Sequence, residues 1–299
     1  MKGVQLDLDR MEVEDAGGAN PDRLAAAIHR QLRSQGLTTG PVPVEAIATA
    51  LDIIDIRIES LSNVEGALVT TAERGIGSIL VSASASQPRQ RFTIGHELGH
   101  FLNVWHAPTG PDGFTCSKAD LRSGDDSARK DLSRHDRQER EANRFAACLL
   151  LPDYRLARYI DDNPDLGQVL GAARNLHCSR ESVARRYSEL LELPNAMLFS
   201  KDGKLRYFVR SGGIGSLDIG VGDPLRDLPP ANGDSGLSDI EDMSSVGWLR
   251  YGQERDLTIQ TLHQQNGYAM TLVTVPDHPD DDNGVEDSVE RFDRFSGRS

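Results

Sequence analysis

The sequence predicts an α+β fold: a mostly helical domain with a small antiparallel sheet, a helical segment after it, and a small C-terminal α/β module. Three observations lead there. Apolar residues recur at helical spacing in several stretches between residues 21 and 192. Two adjacent runs, GALVTT (66–71) and GSILVSAS (77–84), read as strands joined by the turn AERGI. After Pro194 the composition becomes rich in strand-forming residues.

The elements follow in order. Residues 1–20 read as a loose acidic leader without the apolar run of a signal peptide. A helix is expected over 21–36, where Asn20 can cap, Pro21 occupies the first turn, and Leu24, Ala27, Ile28 and Leu32 share a face before Gly36. A short helix from Val42 to Leu51 leads into IIDIRIE, which alternates as a strand. The paired runs at 66–71 and 77–84 follow, Pro88 ends them, and a helix over 90–105 comes next. Residues 107–136, with Pro108, Gly110, Pro111, Gly113 and Gly124, read as a long surface loop. A helix over 137–151 stops at Pro152, and two or three more fill 153–192. The strand-like runs LRYFVR, MSSVGWLRYG, RDLTIQTLH and YAMTLVTV build the module at 195–277, and the acidic tail at 278–299 reads as disordered. The domain plan is a leader at 1–20, a first domain at 21–152, a helical segment at 153–194, the module and the tail.

Composition excludes some functions. Asp and Glu number 46 against 33 Lys and Arg, a formal net charge of −13 over 299 residues. Such a surface repels a phosphate backbone, so nucleic acid is not expected as a direct ligand. Cys116, Cys148 and Cys178 are far apart and odd in number, with no CxxC pair, which suggests neither a disulfide framework nor a thiolate zinc site. A reducing cytoplasm fits that usage. No apolar run is long enough to span a bilayer, so a membrane partner is not expected.

The sharpest signal is IGHELGHFLNVWH at 94–106. On a helix His96 and His100 are one turn apart on one face, where two imidazoles can share a tetrahedral zinc ion. Glu97, rotated by about 100°, is poorly placed as a ligand but well placed beside an open coordination position. Ile94, Leu98, Phe101, Leu102 and Trp105 lie on the opposite, core-facing side, and Gly99 leaves room for a substrate backbone. This HExxH pattern alone is loose and also occurs where no metal binds.

A third ligand has two candidates. His106 matches the spacing HExxHxxGxxH of the metzincins, but Asn103 stands where glycine turns the chain back. If the helix continues through Val104 and Trp105, His106 points away and serves as a polar residue at the helix end. The other candidate lies in QEREANRFAACLLLP (138–152). Ala142, Phe145, Ala146, Leu149 and Leu150 form an apolar stripe. By helical azimuth Glu139 falls beside that stripe and Glu141 on the arginine-rich face with solvent. An inward carboxylate is costly without a partner, and a metal is one such partner. Asn143, one turn on, could orient a ligating histidine.

These two motifs, RQRFTIGHELGHFL and EREANRFAACLLLP, together with the strand pair GALVTT and GSILVSAS before the first, resemble the ImmA/IrrE metallopeptidases over about residues 20–190. The resemblance implies a zincin-like, gluzincin-type endopeptidase with Zn2+ (or Mn2+) on His96, His100 and Glu139, and with Glu97 passing a proton from water to the leaving amine. It implies a protein substrate, a helix-turn-helix repressor whose cleavage induces a DNA-damage or mobile-element response. The module at 195–277 resembles the GAF-like sensor domain of the radiation-response members. Tyr154, His135 and the arginines after Pro152 are candidates for a second electrophile. Residues 166–193, with Arg174, Arg180, Arg185 and Arg186, resemble a helix-turn-helix, read first as a subdomain packed on the peptidase and second as a DNA reader. A different class of function stays open: a regulatory binding protein with a structural metal site and a sensing C-terminal module.

Overall fold

The computed structural model describes residues 5–62, 64–71, 73–108, 113–117, 121, 133–250 and 254–276. The acidic tail and most of the stretch expected as a loop at 107–136 lie outside the described residues. Among the described residues eight α-helices and two sheets form a mixed α+β architecture.

The expected loose leader instead carries a helix, α1 (Arg10–Gly17), capped by Asp9, whose side chain accepts the Glu12 N–H at 3.0 Å. Its Val13 is fully buried and anchors it on α2 (Pro21–Ser34). Acidic composition concealed a two-turn amphipathic helix. Helix α2 begins as its sequence dictates, with Asn20 accepting from the Arg23 N–H at 3.0 Å and Pro21 in the first turn. A short α3 (Val44–Ala50) leads into the first sheet.

That sheet contains β1 (Ile53–Glu59), β2 (Gly66–Thr70), β3 (Gly77–Ser82) and β4 (Gly113–Cys116) in the order β1-β3-β2-β4. It is mixed rather than antiparallel. The β2–β3 hairpin is antiparallel as expected, but β1 enters on the far side of β3 and runs parallel to it. Strand β4 falls in the stretch expected as a loop, because GFTC is too short to show alternation. It pairs antiparallel with β2 and forms one edge of the sheet.

One long helix covers the sheet, and a second packs behind it and on α2. Helix α4 (Gln87–Leu102) packs on β2, β3 and on α5 (Arg134–Leu150). Helix α5 opens with a capping box in which Ser133 Oγ accepts the Asp136 N–H at 3.1 Å and Asp136 accepts the Ser133 N–H at 3.3 Å. Helix α4 stops at Leu102, short of the expected end. The buried Arg74 guanidinium donates to the carbonyls of His100 (2.7 Å), Asn103 and His106, and so caps the helix from a turn between β2 and β3. Trp105 is therefore 68% exposed instead of lying on the apolar stripe.

After α6 (Asp153–Leu156), helices α7 (Leu166–Leu176) and α8 (Arg180–Leu190) are joined through His177 in the left-handed region, φ 53°. The second sheet comprises β5 (Asn195–Lys201), β6 (Lys204–Arg210), β7 (Glu241–Ser244), β8 (Asp256–His263) and β9 (Tyr268–Thr274), ordered β6-β5-β9-β8-β7 and antiparallel throughout. Its described residues contain single-turn 3-10 helices but no α-helix, so the expected α/β module is antiparallel β. Alternation gives the sheet two buried faces. Met197, Phe199, Leu262, Met270 and Leu272 join the core that contains Leu166, Val169 and Tyr187. Ala196, Leu198, Leu257 and Val273 pack instead with Ile214, Leu217 and Trp248. No helix among the described residues is long and apolar enough to cross a membrane.

Arg155, on α6 and 1% exposed, donates to the carbonyls of Leu37 (2.6 Å), Thr39 (2.9 Å) and Gly40 (2.6 Å). It fastens the α2–α3 connection to the body of the fold. Arg155→Ala leaves these carbonyls without their donor and is expected to cost about 3 kcal/mol. Urea unfolding should show a lower midpoint at an unchanged slope.

Candidate metal centre

The α4–α5 contact assembles the site. Gly95 and Gly99 face α5, where a Cβ on Gly99 would lie 2.9 Å from Phe145 Cδ1 and 3.3 Å from Ala142 Cα, and one on Gly95 would lie 3.3 Å from Ala146 Cβ. Gly99 thus serves close helix packing, not the substrate clearance expected of it. His96 and His100 adjoin these glycines, and Glu139 and Asn143 lie on the same helix as Ala142 and Ala146. Bringing the backbones together therefore brings those side chains together.

His96, Glu97 and His100 have no solvent exposure, and Glu139 is 5% exposed. His96 Nε2 lies 3.2 Å from Glu139 Oε2, His100 Nε2 lies 3.3 Å from Glu139 Oε1, and the two Nε2 atoms are 3.1 Å apart. The outer ring nitrogens are engaged behind them. His96 Nδ1–H donates to Asn143 Oδ1 at 3.0 Å, which leaves a lone pair on Nε2.

His100 is held differently. Its Nδ1 lies 2.9 Å from His106 Nδ1, and His106 Nε2 lies 2.9 Å from Glu141 Oε2. With His106 Nε2–H donating to Glu141, His106 Nδ1 accepts from His100 Nδ1–H, and the His100 Nε2 lone pair also faces the cluster. This corrects two expectations. His106 is a buried residue supporting His100, because α4 ends early and the chain turns back. Glu141 is partly buried and anchors this relay rather than sitting among surface ion pairs.

Burial pushes the His100 imidazole down to about 3 despite the opposing carboxylate of Glu139. The ring is therefore neutral near neutral pH, the form that donates to a metal. Burial works to raise the Glu139 carboxyl, but contacts with His100 and His96 outweigh it and hold it below the usual carboxylate range. Burial also lowers His106, opposed by Glu141.

One contributor has no signal in the sequence pattern. Cys116, fully buried on β4, places Sγ 3.1 Å from His96 Nε2, and the ligand atoms of His96, His100, Cys116 and Glu139 all lie within 4.8 Å of one another. Spacing along the chain carried no sign of it, since β4 is brought in by pairing with β2. Glu97 points at the same strand pair. A Cβ on Gly66 would lie 2.8 Å from Glu97 Oε1, and Gly66 is the register partner of Cys116.

The candidates for a second electrophile separate. His135 is half-exposed at the rim, with Nε2 3.8 Å from Glu139 Oε1. Tyr154 meets His29 and Arg155, and Arg155 holds the 37–40 turn.

Buried imidazole, carboxylate and thiol donors converging on one point are what a divalent transition ion requires, and they match the donors that zinc prefers. The residues present fit the group. A helix-borne HExxH pair thus faces a carboxylate from a second helix, in a buried group that could hold a metal ion. Residues 52–188 match the peptidase family M78 model, the IrrE N-terminal-like domain, in agreement with the resemblance to the ImmA/IrrE metallopeptidases carried by the two motifs. A comparison with curated proteins finds no match.

The supports behind the rings yield a prediction. Asn143→Ala and His106→Ala should each weaken zinc affinity by about tenfold to a hundredfold, measured by competition with a chelating dye. Affinity unchanged in both would show that these contacts do not orient the rings.

Proposed function

We propose that this chain is a zinc-dependent endopeptidase in which His96, His100 and Glu139 hold the ion. One observation carries the reading: three buried donor groups from two helices converge with their lone pairs facing one point, beside a buried glutamate. When bound, the ion supplies Lewis acidity that polarises a peptide carbonyl and acidifies a water. Glu97 accepts the proton of the attacking water on a carboxylate oxygen and passes it to the leaving amine. Asn143 holds His96, and His106 with Glu141 holds His100, so that neither ring turns away during the reaction. Two imidazoles favour zinc over manganese, a harder ion that prefers oxygen.

The substrate in this reading is an extended segment of a helix-turn-helix repressor, paired through its backbone with the edge of the first sheet. Its cleavage would induce a stress response in the cytoplasm. The C-terminal sheet takes the GAF-like sensing role. The α7–α8 pair is assigned to packing rather than DNA reading. Arg186 is buried and pairs with Asp153 and Glu189, and Arg185 lies over the Tyr207 ring at 5.5 Å. Two of its arginines are thereby engaged within the fold.

Co-expression with a helix-turn-helix repressor encoded beside it tests the proposal. The wild type should release discrete fragments. Glu97→Gln should reduce cleavage by about a hundred- to ten-thousand-fold with metal content and melting temperature retained. Undiminished biological activity in that variant would favour the non-proteolytic binding protein.

A further inference from the structure

The centre has one donor more than hydrolysis needs. A catalytic zinc site keeps one coordination position open, whereas a structural site fills all of them. Here Cys116 Sγ stands with His96 Nε2, His100 Nε2 and the Glu139 carboxylate in one cluster. A thiol in that position gives up its proton to the solvent on coordination and becomes a strong zinc ligand. The other cysteines lie outside the cluster, and burial pushes their thiols up to about 12 (Cys148) and about 11 (Cys178).

The strand that delivers Cys116 also covers the centre. Residues 114 and 116 share one face of β4. Phe114 is 1% exposed and stacks on His100, with centroids 4.6 Å apart and planes at 22°. Cys116 meets His96 on the same side. Meanwhile β4 pairs with β2 from Gly66↔Cys116 to Val69↔Gly113, along the strand against which Glu97 points. A peptide approaching the cluster and Glu97 along β2 meets β4 already in place.

We propose that Cys116 is the fourth metal ligand and that β4 is an internal inhibitory strand, so that the described conformation is a latent state. Activation is an exchange of strands: an extended segment pairs with β2 in place of β4, Cys116 leaves with its strand, and one coordination position opens to water. This inference rests on the peptidase reading and adds a regulatory state to it.

Cobalt and zinc serve as the probes. The full-length protein reconstituted with Co2+ is expected to show a near-ultraviolet sulfur-to-cobalt charge-transfer band that Cys116→Ala lacks. X-ray absorption of the Zn2+ form should show one sulfur at about 2.3 Å. Azide, a small anion that enters open positions, should leave the wild-type Co2+ spectrum unchanged and shift that of Cys116→Ala. Turnover of Cys116→Ala should rise about tenfold if the latent state outnumbers the open one by that factor. Bound metal with only nitrogen and oxygen neighbours, or a wild-type spectrum that azide shifts, would overturn latency and leave the peptidase reading standing. Because the wild-type spectra need no variant, the test survives a Cys116→Ala protein that does not fold. A protein that takes up neither ion would overturn both.

Discussion

The close approach of α4 and α5 is the contact on which the site depends. Helices meet at about 8–10 Å, and the near end of that range needs small residues at the crossing. Gly95 and Gly99 on α4 and Ala142 and Ala146 on α5 provide them, with Phe145 pressed against Gly99. Each glycine adjoins a histidine in sequence, so the stripe that packs and the stripe that ligates run side by side along α4. Nearby apolar burial of Leu98, Phe101, Phe145 and Leu149 supplies the driving force. That force must overcome the cost of enclosing an ionised carboxylate. The imidazoles reduce this cost, and a divalent ion reduces it further.

A second constraint sits at the helix end. Arg74 has positive φ (50°) and is buried beneath the Phe114 ring, with its guanidinium carbon 5.4 Å from the centroid. It collects carbonyls that α4 would otherwise leave unsatisfied at its C-terminus. The early stop turns His106 inward to meet His100 and Glu141. One arginine, more than twenty residues upstream, thus sets both where the helix ends and which nitrogen of His100 faces the cluster. Arg10 secures Arg74 in turn by donating to its carbonyl at 2.7 Å from α1, so the acidic N-terminal helix contributes indirectly to the centre.

Periodicity made part of this legible. The phase of HELGH and the azimuth of Glu139 place three donors on converging faces because helical geometry is local and regular. The Asn20 cap and the β2–β3 hairpin are legible for the same reason. What periodicity misses depends on partners distant in sequence. Trp105 reads as helical until Arg74 ends the helix. Glu141 reads as solvent-facing until His106 returns to meet it. Cys116 lies on a strand too short to show a pattern and belongs to the centre only because that strand pairs with β2. Gly99 suggests open space, whereas the space is filled by Phe145.

The second sheet has a consequence for how the molecule holds together. Met197, Phe199, Met270 and Leu272 on one of its faces belong to the same apolar core as Tyr187 on α8 and Leu149 on α5. Arg144 on α5 bridges Asp22 on α2 and Glu189 on α8, tying these three helices together. The boundary between helical and strand-rich halves is therefore a seam of shared hydrophobic surface and not a hinge. Separating them at residue 194 would expose oil to water on both pieces, so the described helical and strand-rich halves should unfold as one cooperative unit.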